Sequence, residues 1–199
     1  MCSQVCAPIN IPNPHACNAI DPHVIYKQDE MYMTFGSFWT GIKMVQLNAS
    51  SGLLPSSTAS QHPMWDVAEN ISPDPPRPIE ASWLEYDSET QWYYLFSNWG
   101  MCCRGVHSTY NVRVGRSKAI TGPFLDKKGK GLTTGGGSLL LGTEGEFIGP
   151  GQVGLLSDTE GGWIMSMHYY NGKKDGAPCL RLMRMKIGPD DWPRLSLLP

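Results

Sequence analysis

No run of apolar residues in this chain approaches the ~20 that span a bilayer, so no membrane-spanning helix is expected. Charged residues are scarce, at 17%, and the two signs are interspersed to a formal net charge of −2. A nucleic-acid groove or an anionic membrane surface needs clustered Lys and Arg, so neither partner is expected. The opening stretch from Met1 to Cys17 has no basic or apolar segment and no Asp or Glu, and three prolines interrupt it. It does not read as a signal peptide. Nowhere does a 3.6-residue apolar period persist between helix caps. Glycine (22 residues), proline (16) and aromatics are plentiful instead. That balance suits a β-rich fold with many tight turns, and neutral ligands bound on aromatic faces. With 199 residues the chain can bury a core as one domain. Two features point outside the cell: N-x-S/T sequons at Asn48 and Asn70, and six cysteines, an even number. Cys102 and Cys103 are adjacent, while Cys2, Cys6 and Cys17 crowd the divergent start.

An internal repeat organises the rest. The first copy has IDPHVIY (Ile20 to Tyr26), MYMTFGSFW (Met31 to Trp39) and GIKMVQLN (Gly41 to Asn48). The second has IEASWLEY (Ile79 to Tyr86), WYYLFSNWG (Trp92 to Gly100) and YNVRVGRS (Tyr110 to Ser117). GQVGLLSD (Gly151 to Asp158), WIMSMHYYN (Trp163 to Asn171) and CLRLMRMK (Cys179 to Lys186) form the third. Each copy reads as a short apolar strand, an aromatic-rich strand and a strand alternating basic with apolar residues, the pattern of a sheet with one wet face. Copies recurring every 60 to 70 residues or so fit four-stranded blades around a central channel, an all-β β-propeller. A sandwich also supplies many short strands, but the repeat favours the propeller. The Ser- and Pro-rich stretch from Ala49 to Pro78 reads as an irregular loop. TTGGGS (Thr133 to Ser138) is not followed by a P-loop Lys, so it reads as a turn or loop rim.

Asp21 and Glu80 occupy the same place in their copies, after Ile and ahead of an apolar strand. The first strand of each propeller blade lines the axis, so equivalent positions converge on one channel mouth. Taken singly, Asp21 would cap a turn before Pro22 and Glu80 would be a surface acid. As a matched pair they offer what glycoside hydrolysis needs: two carboxylates, one kept protonated by its like-charged neighbour.

The segments NAIDPHVIY, MTFGSFWTGIKMVQLN, IEASWL, YYLFSNWGMCCRGVHSTYNVRVGRSKAITGPFLDKKG, GGGSLLLG and FIGPGQVG resemble arabinan endo-1,5-α-L-arabinosidases of glycoside hydrolase family 43. SMHYYN and DDWP resemble that family's closing segment. The resemblance implies a divergent N-terminal segment over 1–17 and a partial propeller domain over 18–199. It also implies a five-bladed ring in the family, of which this sequence holds about three blades. Its implied reaction is inverting hydrolysis of arabinan by three acids. Glu80 matches the general acid and Asp21 the residue that tunes and orients it. Ser37, Phe38, Trp39, Trp99, Cys102, Cys103 and Arg104 match positions that line the sugar groove. Trp39 and Trp99 fit packing between blades equally well. Cys102 and Cys103 fit a buried thiol pair or a vicinal disulfide better than a nucleophile. Arg116 is expected to pair with a carboxylate. The resemblance further implies a secreted, monomeric protein acting on an oligo- or polysaccharide.

Two departures matter. The family's general base sits in an Asp-Pro motif of an earlier blade, and no general base is identified in this chain. Hydrolysis is therefore expected to be impaired, and a non-catalytic arabinan- or pectin-binding propeller fragment stays open as the alternative. An exo-acting arabinofuranosidase or β-xylosidase is a third reading, disfavoured by NWGMCCRGVHSTYN. Gln152 stands where relatives usually place a His that helps hold a metal, commonly calcium. No cofactor is expected for the chemistry, and a structural calcium ion is left open by the weakness of a Gln ligand. His168 is expected to be a packed strand residue, and His107 stands where relatives often carry Asn.

Overall fold

A computed structural model describes residues 17–55 and 63–198. Save for Cys17, the divergent start with Cys2 and Cys6 lies outside the described residues. Among the described residues twelve strands form three antiparallel sheets of four, each built from consecutive strands. The first comprises β1 (His23–Lys27), β2 (Glu30–Phe35), β3 (Ile42–Leu47) and β4 (Met64–Ala68). The second comprises β5 (Ile79–Asp87), β6 (Trp92–Trp99), β7 (Asn111–Ser117) and β8 (Ser138–Leu141). The third comprises β9 (Phe147–Ser157), β10 (Trp163–Asn171), β11 (Ala177–Ile187) and β12 (Pro193–Leu197). These are three propeller blades with β1, β5 and β9 innermost, and β5 contacts both β1 and β9. The stretch Ala49 to Pro78 is not wholly irregular: it holds β4, a five-residue edge strand whose first three side chains are largely wet. So short an edge strand buries too little to show a period.

The middle blade explains the aromatic run in β6. Tyr93 and Leu95 face the first blade, in a core with Ile25, Ile42, Met44, Ile79 and Leu84. Tyr94 and Phe96 face the third blade, in a core with Val153, Trp163, Met165, Met167 and Met185. A strand buried on both faces loses the two-residue alternation and reads as continuously apolar. The third blade's other face is open, with Leu156 72% and Leu180 73% exposed.

Polar links cross the blade boundaries. Between the first and second blades Ser82 Oγ donates to Thr34 Oγ1 at 3.0 Å, and the Leu84 N–H donates to His23 Nδ1 at 3.2 Å. The His23 ring packs on Trp83 at 3.9 Å between centroids. Burial pushes its pKa down to about 4. The bond from Leu84 needs an unprotonated Nδ1, so the folded state disfavours the imidazolium. In the unfolded chain a histidine takes its proton near pH 6.5. The contribution is thus whole above that pH and is lost as pH falls toward 4. Allowing for the ring's partial exposure, the loss is expected to be about 2 kcal/mol. Urea midpoints of wild type and His23→Asn at pH 7 and pH 4.5 check it, and the variant is expected to respond less.

Between the second and third blades, Arg116 does not pair with a carboxylate side chain as the sequence suggests. Its guanidinium lies 4.4 Å from the Trp92 ring and 4.4 Å from the Trp192 ring. Its Nη1 donates to the Asp190 carbonyl at 3.1 Å and to the Asp191 carbonyl. The turn carbonyls offer charge-assisted bonds and the indoles shield them from water, so no acid is needed. Arg116→Ala is expected to cost about 2 kcal/mol and to lower Tm by about 5 °C in a thermal scan.

Candidate active site

Each inner strand carries a residue in the left-handed region: Asp21 (φ 53°) just ahead of β1, Ala81 (φ 51°) near the start of β5 and Gln152 (φ 56°) midway along β9. β5 and β9 are also bulged there. Such a kink takes a backbone N–H out of the ladder and re-aims the neighbouring side chains. The freed N–H of Ala81 donates to Asp21 Oδ2 at 3.3 Å, and that of Gln152 to Asn98 Oδ1 at 2.9 Å. By backbone conformation Asp21 matches Ala81, one residue beyond Glu80. This offset corrects the register read from sequence, in which Asp21 and Glu80 were equivalent. The two carboxylates still meet, because the Ala81 N–H that holds Asp21 follows directly on Glu80.

Glu80 is braced on both oxygens. Ser37 Oγ donates to Oε2 at 2.7 Å, and the Tyr110 hydroxyl donates to Oε1 at 2.8 Å. Ser37 is buried at the end of β2, where Gly36 (φ 131°) turns the chain. The Phe38 N–H then donates to the Ile79 carbonyl at 2.7 Å, closing the first blade onto the second. The Asp21 pKa is raised, by burial first and then by the charge on Glu80, against the Ala81 hydrogen bond. Burial, reinforced by Glu80, raises the Tyr110 pKa, so its hydroxyl stays a donor.

Sequence reasoning passed over Tyr110 and Asn98. Tyr110 directly precedes β7, and that place at the acids' end of the blade is the one signal the sequence offers for it. Asn98 is fully buried in β6. Its Nδ2 donates to the Asn111 carbonyl at 3.1 Å and the Pro150 carbonyl at 3.3 Å. Together with the Gln152 bond, these fasten the third blade beside the acids. His168 is half-buried and stacks on Tyr110 with centroids 5.7 Å apart. Its pKa is lowered by burial, against the pull of Glu80, and its Nε2 is buried with no hydrogen-bond partner among the described residues.

The other groove residues surround this end unequally. Phe38 and Trp39 line a cavity of about 430 Å³ with Asn18, Pro75, Pro76 and Arg77. Trp39 is 48% exposed, which sets aside packing between blades for it. Trp99 is half-buried against the first core, with the Arg113 guanidinium 4.4 Å from its ring. Cys102 and Cys103 form a vicinal disulfide, and the Cys103 N–H donates to the Tyr170 hydroxyl at 2.7 Å. The exposed Arg104 anchors its N–H on Ser108 Oγ at 3.1 Å.

Calcium takes six to eight oxygens, from carboxylates, backbone and amide carbonyls and waters. Beside Gln152 stand a neutral imidazole and an Asn98 amide already committed to backbone groups. Among the described residues no three His, Cys, Asp or Glu side chains gather to hold a metal.

Propeller blades whose inner strands deliver two adjacent carboxylates, one braced by hydroxyls, beside aromatic surfaces are an arrangement that glycoside hydrolysis draws on. The model of glycosyl hydrolases family 43 matches residues 6–193, and the chain belongs to that family. An extracellular exo-α-(1→5)-L-arabinofuranosidase of Cellvibrio japonicus is 32% identical, over 94% of this chain and 54% of its own length. An extracellular endo-α-(1→5)-L-arabinanase of Bacillus subtilis is 37% identical, over 88% of this chain and 50% of its own. The solved α-L-arabinanase of Cellvibrio cellulosa superposes with a TM-score of 0.81 at 31% identity, over 94% of this chain and 60% of that one. The chain thus spans about half the length of these curated relatives. Its three blades are what a 60% share of a five-bladed ring amounts to.

Proposed function

We propose that this chain carries the acid half of an inverting hydrolase of α-1,5-linked L-arabinan. In this reading Glu80 is the general acid and Asp21 tunes and orients it. The bracing of Glu80 beside Asp21 carries the reading. The Tyr110 hydroxyl can donate to Oε1 or accept from it, and the Ser37 hydroxyl likewise with Oε2, so each oxygen is held in either protonation state. Phe38, Trp39, Trp99, the Cys102–Cys103 bridge and Arg104 would supply the walls for furanose rings and their hydroxyls.

Inversion needs a base across the sugar, roughly 6.5–9.5 Å from the acid. Asp21 is held beside the acid by the Ala81 N–H, so in this reading it does not serve as the base. Glu80 is the one carboxylate whose charge raises the Asp21 pKa. No base is assigned among this chain's carboxylates, and hydrolysis by the chain alone is expected to be weak. Binding of arabinan without hydrolysis is the second reading, favoured by the same observation. The relatives' names include both exo- and endo-acting enzymes, and we leave that choice open. Work outside the cell suits the disulfide and the relatives' extracellular names. Asn48 is the sequon exposed for a glycan, because Asn70 is buried with its Nδ2 bonded to the Pro78 carbonyl at 3.2 Å.

Fusing an Asp-Pro-bearing family blade ahead of Asn18 tests the proposal. Linear arabinan should be hydrolysed by the fusion and hardly by the chain, with the first product inverted at its anomeric carbon by NMR. Strong hydrolysis by the unfused chain, abolished in Glu80→Ala, would remove the claim of a missing base. Retained configuration would remove the inverting mechanism, and no binding of arabinotriose by either form would end the arabinan reading.

A further inference from the structure

The cavity beside the acids holds a cation that nothing yet described uses. Arg77 has positive φ (53°), and its Nε donates to the Ser72 carbonyl at 2.8 Å. It has no ion pair among the described residues, and the cavity it lines includes no carboxylate. Nor is it the counter-ion of Asp21, whose pKa responds to burial, Glu80 and the Ala81 N–H. Opposite Arg77 stands Trp39, another non-glycine residue of positive φ (38°). An exposed indole and a tethered guanidinium, both on strained backbone, face one space between rigid prolines. Backbone strain persists where the surroundings impose it, commonly at ligand sites.

The two walls continue the strands that carry the acid's contacts. Ser37 leads directly to Phe38 and Trp39, and Arg77 lies three residues before Glu80. The Phe38–Ile79 backbone bond ties the walls together at 2.7 Å. The cavity is thus built on the same two segments that carry Ser37 and Glu80, which suits a neighbouring position for the same polymer. Its volume of about 430 Å³ falls within the ~300–1,000 Å³ of small-molecule sites.

We propose that this cavity is a subsite for a sugar bearing a carboxylate, a uronate residue, with its ring on Trp39 and its carboxylate on Arg77. The inference rests on the glycan-cleft reading of Glu80 and adds an acidic sugar to the neutral ones. A tethered guanidinium presents its remaining N–H groups as a fork, which matches a carboxylate better than single hydroxyls. The Asn18 amide lines the same cavity and can reach ring hydroxyls.

Calorimetric titration of the purified chain with trigalacturonate and with galactotriose, which differ in the carboxylate, tests the proposal. Trigalacturonate is expected to bind at least about tenfold more tightly, and Arg77→Gln to remove that advantage while arabinotriose binds as before. Equal affinity for the two trisaccharides, or undiminished trigalacturonate binding by Arg77→Gln, would overturn the subsite. Should Arg77→Gln lose its fold, the wild-type protein still decides: trigalacturonate must shift the Trp39 indole N–H resonance, assigned by its disappearance in Trp39→Phe. An unmoved resonance overturns the proposal. Failure with trigalacturonate alongside normal arabinotriose binding refutes this subsite alone, whereas failure with arabinotriose refutes the reading of the cleft beneath it.

Discussion

Glu80→Gln, introduced into the fused form that carries a base, is expected to slow hydrolysis of linear arabinan about a hundred- to ten-thousand-fold. Glutamine fills the same space, its carbonyl accepting from one of the Tyr110 and Ser37 hydroxyls and its NH2 donating to the other, so arabino-oligosaccharide affinity should change by less than about twofold. What disappears is the proton that Glu80 delivers to the leaving oxygen. That defect has a chemical signature. A nitrophenyl arabinofuranoside departs without needing a proton, so the variant should approach wild-type rates on it while remaining slow on arabinan. If both substrates slow equally, Glu80 is not the acid. Asp21→Asn offers the complementary measurement. Its side chain can still accept the Ala81 N–H, yet the charge beside Glu80 is gone. The acidic limb of the rate profile on arabinan should move, while the nitrophenyl substrate should be little affected.

Gly151→Ala is expected to have the largest structural effect. A Cβ at position 151 would clash with Asn98 Nδ2 and with ring carbons of Tyr110, both buried and unable to retreat. Gly151 has ordinary backbone dihedrals, so the demand for glycine is one of space alone. Overpacking of this kind costs about 3 kcal/mol, and displacing Asn98 would add unpaired groups at Pro150 and Gln152. The same movement would draw the Tyr110 hydroxyl off Glu80. A fall in Tm of about 10 °C is expected, with a kcat loss exceeding that of Tyr110→Phe. An unchanged Tm in the Gly151→Ala variant would show that the third blade does not press on the second as described.

How much of this was legible beforehand follows from what each element buries. β7 and β11 alternate because one face meets water, and β6 stands out as an aromatic run because both its faces are covered. The blade count came from such strands. β4 is short and mostly wet, so its sequence resembles the loops around it. Asp21 and Glu80 were found by position in the repeat, yet the structure places them one residue out of register, since the kink falls on Ala81 in the second blade. Acids announce themselves in a sequence, whereas the groups that orient them need not. Tyr110 and Asn98 resemble any strand polar residues until the blades are assembled. Arg116 likewise invited an acidic partner because charge suggests charge, while its real partners are two carbonyls and two indoles contributed by distant turns.

Every sheet is completed by strands that follow one another along the chain, with none lent to a neighbour. A recombination breakpoint within 142–146 would therefore split no ladder. Whole blades can be gained or shed as units of inheritance, and the toll of such an exchange falls on a few side chains at the seam. Compatibility between a transplanted blade and its new neighbour then comes down to whether the incoming segment brings a glycine for Tyr110 to rest on and a turn for Arg116 to grip.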